Sequence, residues 1–223
     1  MNQRSSTIVK KELIDTWPIK KKGGKYSMKL NKDFYQRTDV VKIARELLGK
    51  VLFTNVNGIT ASGIIVETEA YSWKERGCHA YGARKTQRNA IMFEPGGFAY
   101  VYLCYGMHNM FNVVTNKEGV ADAILVRAIE PISGLPEMKI RRGNLLNEFQ
   151  LTSGPGKLTK ALGIDRKLNG KSLFENEVWI EDAGKQIASG SIDVTPRIGI
   201  DYAGEDARLP WRFTIKGNKW VSK

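Results

Sequence analysis

The stretch that decides the fold is Val66–Asn112, VETEAYSWKERGCHAYGARKTQRNAIMFEPGGFAYVYLCYGMHNMFN. Its first residues belong to a strand predicted over Gly63–Tyr71. Alternation along that strand places three polar side chains on one face: Glu67, Glu69 and Tyr71. A loop rich in Gly and Arg follows the strand. The stretch therefore brings carboxylates, aromatic rings and cations together, a set that a hydrophobic core does not need.

A second aromatic strand, predicted over Phe98–Cys104, breaks at Tyr105-Gly106 and resumes near Phe111. Two strands separated by so short a break predict an antiparallel pair joined by a tight turn. Gly106 can adopt the positive φ that such turns often require. A large ring at a turn is poorly suited to a core, so Tyr105 is predicted to be exposed.

The rest of the chain predicts a mixture of helices and short strands. A helix is predicted over Asp39–Lys50 from the spacing of its apolar residues, and a short helix over Thr152–Leu162. Asn57-Gly58 is a strong turn signal between two further strands. The predicted strands are Val51–Asn55, Ile59–Tyr71, Ala123–Ala128, Val178–Glu181, Ile192–Val194 and Trp211–Lys216, with a helical turn over Ala203–Arg208.

The composition narrows the class of protein. With 223 residues and 42% apolar content the chain can bury one sizeable core. No run of about 18 apolar residues occurs and the N-terminus does not resemble a signal peptide, so we expect a cytoplasmic protein without a membrane partner. Two cysteines do not make a disulfide framework. The net charge of +12 favours a polyanionic partner, nucleic acid above all.

The chain is predicted to have two parts. Residues 1–28 form a basic and flexible tail, because a run of like charges repels itself, and residues 29–223 form the folded domain. The tail is either a tether to DNA or a solubilising extension.

The chain resembles the 3-methyladenine (alkyladenine) DNA glycosylase family, in a bacterial form. The resemblance runs from about Leu47 to Ser222, through separate motifs in the family's order: VETEAY, His79, RKTQRN, MFEPG, YVYLCYGMHNMFN, ILVRAIEP, LTSGPGKL and PRIGIDYAGEDARLPWRF. It implies an α+β fold with a single domain, in which helices surround a curved antiparallel β-sheet and a β-hairpin protrudes to intercalate into DNA.

The resemblance also implies an activity. The expected enzyme is a monofunctional N-glycosylase that removes alkylated or deaminated purines, of the 3-methyladenine, 7-methylguanine, hypoxanthine and ethenoadenine class, after they flip out of DNA. It starts base-excision repair with water as the nucleophile and needs no cofactor. The expected partner is double-stranded DNA containing damaged purines, the chain is expected to be a monomer, and DNA binding would associate it with the nucleoid.

Each site residue receives an expected role from the resemblance. Glu69 deprotonates the attacking water and faces an oxocarbenium-like sugar, while the Arg127 guanidinium favours the ionised carboxylate. The residues expected to form the base pocket are Tyr71, His79, Tyr102, Asn112 and Leu125, with Asn112 rejecting guanine. The expected DNA contacts are Tyr105 as a wedge, Met107, Thr86, Arg88, Met92, Lys157 and Arg197.

Three alternatives stay open at this point. The ligand types Cys78, His79, Cys104 and His108 match no usual metal spacing, so no metal site is expected. A non-catalytic nucleic-acid-binding module would keep the basic surface without the chemistry. A glycosylase with lyase activity would use Lys74 or Lys85 as the nucleophile, although both lie in a loop that the sequence predicts to be solvated.

Overall fold

The computed structural model describes residues 28–143 and 147–223. Within these ranges there are nine strands: β1 Met28–Lys29, β2 Val51–Val56, β3 Ile59–Tyr71, β4 Ala99–Cys104, β5 His108–Thr115, β6 Asp122–Ser133, β7 Val178–Asp182, β8 Ile192–Thr195 and β9 Arg212–Ile215. They form one antiparallel sheet with the order β1-β7-β2-β3-β6-β5-β4, and β9 joins β3 to β8. The sheet curls into a half-barrel within a single α+β domain, as the resemblance implied.

The longest strand, β3, has three neighbours. Its first half pairs with β2, its other edge pairs with β6, and its segment Glu67–Glu69 pairs with β9. The β3–β6 register shifts on both sides of Glu67. Such bulges bend a strand and re-aim its side chains. The strand therefore changes neighbours where its carboxylates lie.

Four α-helices and six 3₁₀ segments surround the sheet in the described residues. The helices are α1 Lys32–Tyr35, α2 Val40–Glu46, α3 Leu135–Arg142 and α4 Pro155–Leu162. The 3₁₀ turns are Tyr81–Ala83, Ala90–Phe93, Glu148–Leu151, Arg166–Leu168, Ser189–Ser191 and Asp201–Arg208. The apolar faces of α2, α3 and α4 pack into the main core, whose centre includes Ile43, Ile65, Phe111, Met138 and Leu158.

The observed bounds of several elements agree with those predicted from the sequence. The strand Ile59–Tyr71 has the predicted bounds, and Asn57 and Gly58 before it both have positive φ, as a two-residue turn requires. Asp39 caps α2 through a hydrogen bond to the amide of Lys42, and that helix is shorter than predicted. Helices α1 and α3 were not predicted.

The predicted tail, residues 1–28, lies outside the described residues except for Met28. Met28 pairs with Asp182 in the edge strand β1. The ordered sheet thus includes the last residue that was assigned to the tail, and the two-part division itself stays a prediction.

Candidate active site

One row across the sheet carries much of the site. Four strands, from β4 to β3, each contribute one residue in register: Tyr100, Asn112, Leu125 and Glu69. Residues directly opposite each other in antiparallel strands share a face of the sheet. The register therefore places the expected catalytic carboxylate in line with two expected pocket residues, and adds a tyrosine that the sequence had not indicated.

Glu69 is fully buried, and three donors hold its carboxylate. Oε2 accepts hydrogen bonds from the Tyr71 hydroxyl at 2.7 Å and from Arg127 Nη1 at 3.2 Å. Oε1 accepts one from the backbone N–H of Ile198 at 2.8 Å. Tyr71, Arg127 and Ile198 all line one cavity. The carboxylate thus adjoins that cavity through the groups that hold it.

Arg127 reaches Glu69 through the irregularity between β3 and β6. Val126 and Ala128 have partners on β3, and Arg127 between them has none. Its Nε donates to Glu67 at 3.0 Å while its Nη1 donates to Glu69. Burial disfavours the charge on Arg127, but the Glu69 and Glu67 carboxylates outweigh burial and raise its pKa. The guanidinium is therefore a permanent cation between two buried carboxylates.

The second carboxylate, Glu67, is also fully buried, and none of its hydrogen-bond donors except Arg127 lines the cavity. Besides Arg127 it accepts hydrogen bonds from Arg212 Nε and from the backbone and side chain of Ser222, each at 2.8 Å. The two carboxylates on one strand face thus have different surroundings. Glu69 adjoins the cavity, and Glu67 is saturated by protein donors.

The cavity beside Glu69 has a volume of about 440 Å³. That volume falls within the range of roughly 300–1,000 Å³ for ligand pockets. All five expected pocket residues line it: Tyr71, His79, Tyr102, Asn112 and Leu125. The structure therefore brings together residues from four strands, β3, β4, β5 and β6, and one loop. Their contact with a base stays a prediction.

The three residues expected to form the aromatic walls, Tyr71, His79 and Tyr102, are all uncharged near pH 7. Burial, reinforced by the Glu69 charge, raises the pKa of Tyr71 well above its ordinary value, so its hydroxyl stays a donor to Glu69. Burial also raises the pKa of Tyr102. The His79 ring lies 4.5 Å from the Tyr102 ring, and its Nδ1 lies 2.8 Å from the Tyr100 hydroxyl. Partial burial, together with the Arg88 charge, lowers the pKa of His79 to about 4, so the imidazole is neutral near pH 7.

Asn112 is buried in the cavity wall with its amide orientation fixed. Its Nδ2 donates to the backbone oxygens of Tyr100 at 3.2 Å and Met110 at 3.4 Å. Both partners are acceptors, which identifies the donating atom as nitrogen. The side chain is thus held in place by the β4–β5 pair, and its role in rejecting guanine stays a prediction.

The connection between β4 and β5 consists of three exposed residues, Tyr105, Gly106 and Met107. Tyr105 is 85% exposed and Met107 71% exposed. Tyr105 has φ +50° and Gly106 φ +68°, so two successive residues adopt the left-handed conformation. Because Tyr105 also lines the cavity, an unburied ring stands at the cavity mouth. This position is compatible with a wedge.

The loop that carries Thr86 and Arg88 is organised by Asn89, a residue that no sequence pattern indicated as part of the site. Asn89 is buried, its Nδ2 donates to the backbone oxygens of His79 and Arg84, and its Oδ1 accepts from both the amide and the hydroxyl of Thr86. Arg88 is exposed and stacks 5.0 Å from the Tyr102 ring centre.

Two of the expected DNA contacts are buried. Met92 is 1% exposed and lies in the cavity wall, and its expected contact with DNA beside the flipped base stays a prediction. The Arg197 side chain is fully buried in a two-pronged ion pair with Glu75, with both nitrogen–oxygen distances 2.7 Å. Its role as a DNA contact is therefore corrected. The sequence showed an Arg beside the site but not the carboxylate that neutralises it.

Arg197 instead supports the site from behind. Its guanidinium carbon lies 4.7 Å from the Tyr71 ring centre and 5.2 Å from that of Trp211. It also donates to the backbone oxygens of Ala70 and Asp206. The next residue, Ile198, supplies the amide that binds Glu69. Lys157, by contrast, is exposed in the first turn of α4, where a phosphate contact is possible.

The alternative chemistries find little support in the described residues. No group of three His, Cys, Asp or Glu side chains there is placed to hold a metal ion. Lys74 and Lys85 are exposed, near the rings of Trp73 and Phe93 respectively, and neither lines the cavity.

The described part of the chain contains no helix with the length and apolar character to cross a membrane.

Comparison with known proteins decides the family. Residues 33–219 match the model of the methylpurine-DNA glycosylase family, which is most of the chain. The chain belongs to this family. As a family member it is a hydrolase of the DNA-glycosylase type with DNA as its partner, which confirms the expected class of enzyme.

Bacterial relatives match over nearly their full length. A protein of Carboxydothermus hydrogenoformans is 49% identical over 196 residues, covering 88% of this chain and all of the relative. A protein of Chlamydia felis is 47% identical, covering 85% of this chain and 97% of the relative. One of Clostridium acetobutylicum is 47% identical, covering 87% and 98%. All three carry the provisional name 3-methyladenine DNA glycosylase.

Proposed function

We propose that this member of the methylpurine-DNA glycosylase family hydrolyses the N-glycosidic bond of alkylated and deaminated purines that have flipped out of double-stranded DNA. The proposed substrates are 3-methyladenine, 7-methylguanine, hypoxanthine and ethenoadenine. The observation that carries the proposal is Glu69, a buried carboxylate held by Arg127, Tyr71 and the Ile198 amide against a cavity with aromatic walls. The names of the bacterial relatives support the 3-methyladenine part.

The hydrogen bonds of Glu69 leave one lone-pair site of its carboxylate without a protein donor. An ionised carboxylate offers about four lone-pair sites, and three of those on Glu69 are occupied by protein donors. In the proposed reaction the remaining site, on Oε1, accepts a hydrogen bond from the attacking water and then takes its proton. The same negative charge stabilises the oxocarbenium-like sugar as the base leaves.

The walls of the cavity suit a flipped purine. Stacking of a base on aromatic rings contributes roughly 1–3 kcal/mol, which offsets part of the cost of removing it from the duplex. His79 is neutral near pH 7 and does not repel an alkylated purine that carries a positive charge. The exposed Tyr105 would fill the gap left in the duplex.

A panel of single-turnover excision assays tests the proposal, with duplexes that each contain one of the four lesions and an undamaged duplex as the control. We expect release of free base from at least the 3-methyladenine duplex and an intact abasic strand. Absence of excision from every lesion would contradict the proposal and favour the non-catalytic module. Trapping of a covalent complex by borohydride would instead favour the lyase with a lysine nucleophile.

A further inference from the structure

The end of the chain reaches the buried carboxylate behind the candidate active site. Ser222 donates from its backbone N–H to Glu67 Oε2 and from its hydroxyl to Glu67 Oε1, both at 2.8 Å. Arg212 Nε and Arg127 Nε donate to the same Oε1. Ser222 thus supplies two of the four hydrogen bonds that the described residues make to Glu67.

The segment 218–222, which we name the C-terminal strap, is anchored before it reaches Glu67. Asn218 Nδ2 donates to Glu130 Oε2 at 2.7 Å. The Trp220 ring packs edge-on against Phe149, with ring centres 5.1 Å apart. Trp220 and Val221 also contact a small apolar cluster formed by Val51, Ile64, Val66 and Ala128. Ser222 is therefore held in place by contacts on β2, β3 and β6.

The strap fixes the orientation of Glu67. Oε2 of this fully buried carboxylate accepts the Ser222 amide. A buried charged oxygen that loses its donor is unfavourable, so the carboxylate would turn toward its other donors or admit water. Arg127 Nε is one of those donors. Because a guanidinium is planar, any turn about Nε also moves the Nη1 that holds Glu69.

We propose that Ser222 and Glu67 are positioning residues for the catalytic pair Arg127 and Glu69, an inference that rests on the proposed function. The strap orients Glu67, Glu67 orients Arg127 Nε, and Arg127 Nη1 orients Glu69. Among the hydrogen-bond donors to Glu67, Arg127 is the one that lines the cavity and also holds Glu69, so Ser222 and Glu67 act through Arg127. A displacement of about 1 Å at a reacting group can cost on the order of 10²-fold in rate.

A graded series at position 222 tests this inference. Ser222→Thr keeps both donors, Ser222→Ala removes the hydroxyl, and Ser222→Pro removes the hydroxyl and the N–H together. We expect single-turnover excision to stay near the wild-type rate for the Thr variant. It should fall several-fold for the Ala variant and on the order of 10-fold to 10²-fold for the Pro variant. Lys223→Ala, at the adjacent exposed residue, is the matched control and should excise at the wild-type rate.

Two further readouts separate positioning from a general structural role. Affinity for DNA containing a pyrrolidine abasic analogue should stay within a few-fold of wild type in every variant. The Nε–H signal of Arg127 in a nitrogen–proton NMR spectrum, assigned with Arg127→Lys, should lose its protection from exchange in Ser222→Pro but not in Lys223→Ala. This readout does not depend on activity, so it also tests the inference if the wild type excises none of the lesions.

Wild-type excision and an unchanged Arg127 signal in a folded Ser222→Pro variant would overturn the inference. So would an equal loss of excision and DNA affinity, because that result indicates general loosening of the fold. If Ser222→Pro does not fold, Ser222→Ala decides by the same two measurements. Failure of the proposed function would show differently, as a wild-type protein that leaves every lesion intact.

Discussion

Arg127 Nη1 lies 3.2 Å from Glu69 Oε2, and both side chains are buried. The contact depends on the shifted β3–β6 register, which leaves Arg127 without a partner opposite it. Burial of a carboxylate is costly unless charge or hydrogen bonds compensate for its lost hydration. Arg127, Tyr71 and the Ile198 amide supply that compensation, which is the environment that our proposal requires of Glu69 as a general base.

We predict that Glu69→Gln lowers single-turnover excision by at least about 10²-fold, because an amide cannot take a proton from water and carries no charge to face the sugar cation. Affinity for DNA with a pyrrolidine abasic analogue should change by no more than a few-fold. Glu118→Gln, at an exposed position, is the control. Near-wild-type excision by Glu69→Gln would rule out this carboxylate as the base.

Tyr105→Ala should weaken binding to lesion-containing duplexes and reduce the flipped population, measured by the fluorescence of a base analogue at the lesion. The free energy of unfolding should stay nearly unchanged, because the ring is 85% exposed. Tyr35, which is fully buried, provides the contrast: Tyr35→Ala should cost about 3–5 kcal/mol. A comparable loss of stability in Tyr105→Ala would show that its ring packs against the fold.

Asn112→Ala and Asn112→Ser should raise the excision of normal guanine relative to hypoxanthine, because each removes the side chain expected to crowd the 2-amino group of guanine. Each also removes the hydrogen bonds to the backbone of Tyr100 and Met110, at a cost of about 0.5–1.5 kcal/mol per bond. Rates are therefore compared between substrates within each variant. An unchanged guanine-to-hypoxanthine ratio would assign discrimination to other residues, such as Leu125.

Lys157 and Arg197 should differ in how they affect the salt dependence of DNA binding. Removal of one phosphate contact lowers the slope of log affinity against log salt by about 0.9. Lys157→Ala should show that change and no loss of stability, since its side chain is exposed. Arg197→Gln should leave the slope unchanged and lower the free energy of unfolding by about 3–5 kcal/mol, because Glu75 loses its buried partner. A reversal of the two slopes would contradict this assignment.

His79 should titrate with a midpoint near pH 4 in the folded protein. Its ordinary pKa, and that in the unfolded chain, is about 6.5. Between these values the unfolded chain binds a proton that the folded protein does not, so the His79 contribution to stability falls as pH drops from about 6.5 to 4. With two histidines in the chain, proton NMR can follow His79, and His79→Gln assigns the signal. A midpoint near 6.5 would show an unperturbed ring.

The local pattern of the sequence was sufficient for the strands that build the site. Alternation in β3 and the Asn57-Gly58 turn predicted where that strand begins and ends, because both depend on neighbouring residues only. The break at Tyr105-Gly106 predicted the exposed connection between β4 and β5 for the same reason. The expected roles of Glu69 and its pocket came from the family resemblance. The comparisons confirm that the chain belongs to that family.

What the sequence by itself determined, then, is the order of the strands from β2 to β9 and of helices α2 and α4, the basic charge and the residue types available for chemistry. The tertiary structure alone decided which of those residues meet. In the sequence Arg197 is a cation available to bind DNA, whereas in the structure it forms an ion pair with Glu75. In the sequence Glu67 is equivalent to Glu69, whereas in the structure Glu67 accepts hydrogen bonds from Ser222 and Arg212. These contacts join residues distant in the chain, and their geometry follows from sheet register and bulges. Local sequence patterns therefore carry no sign of them.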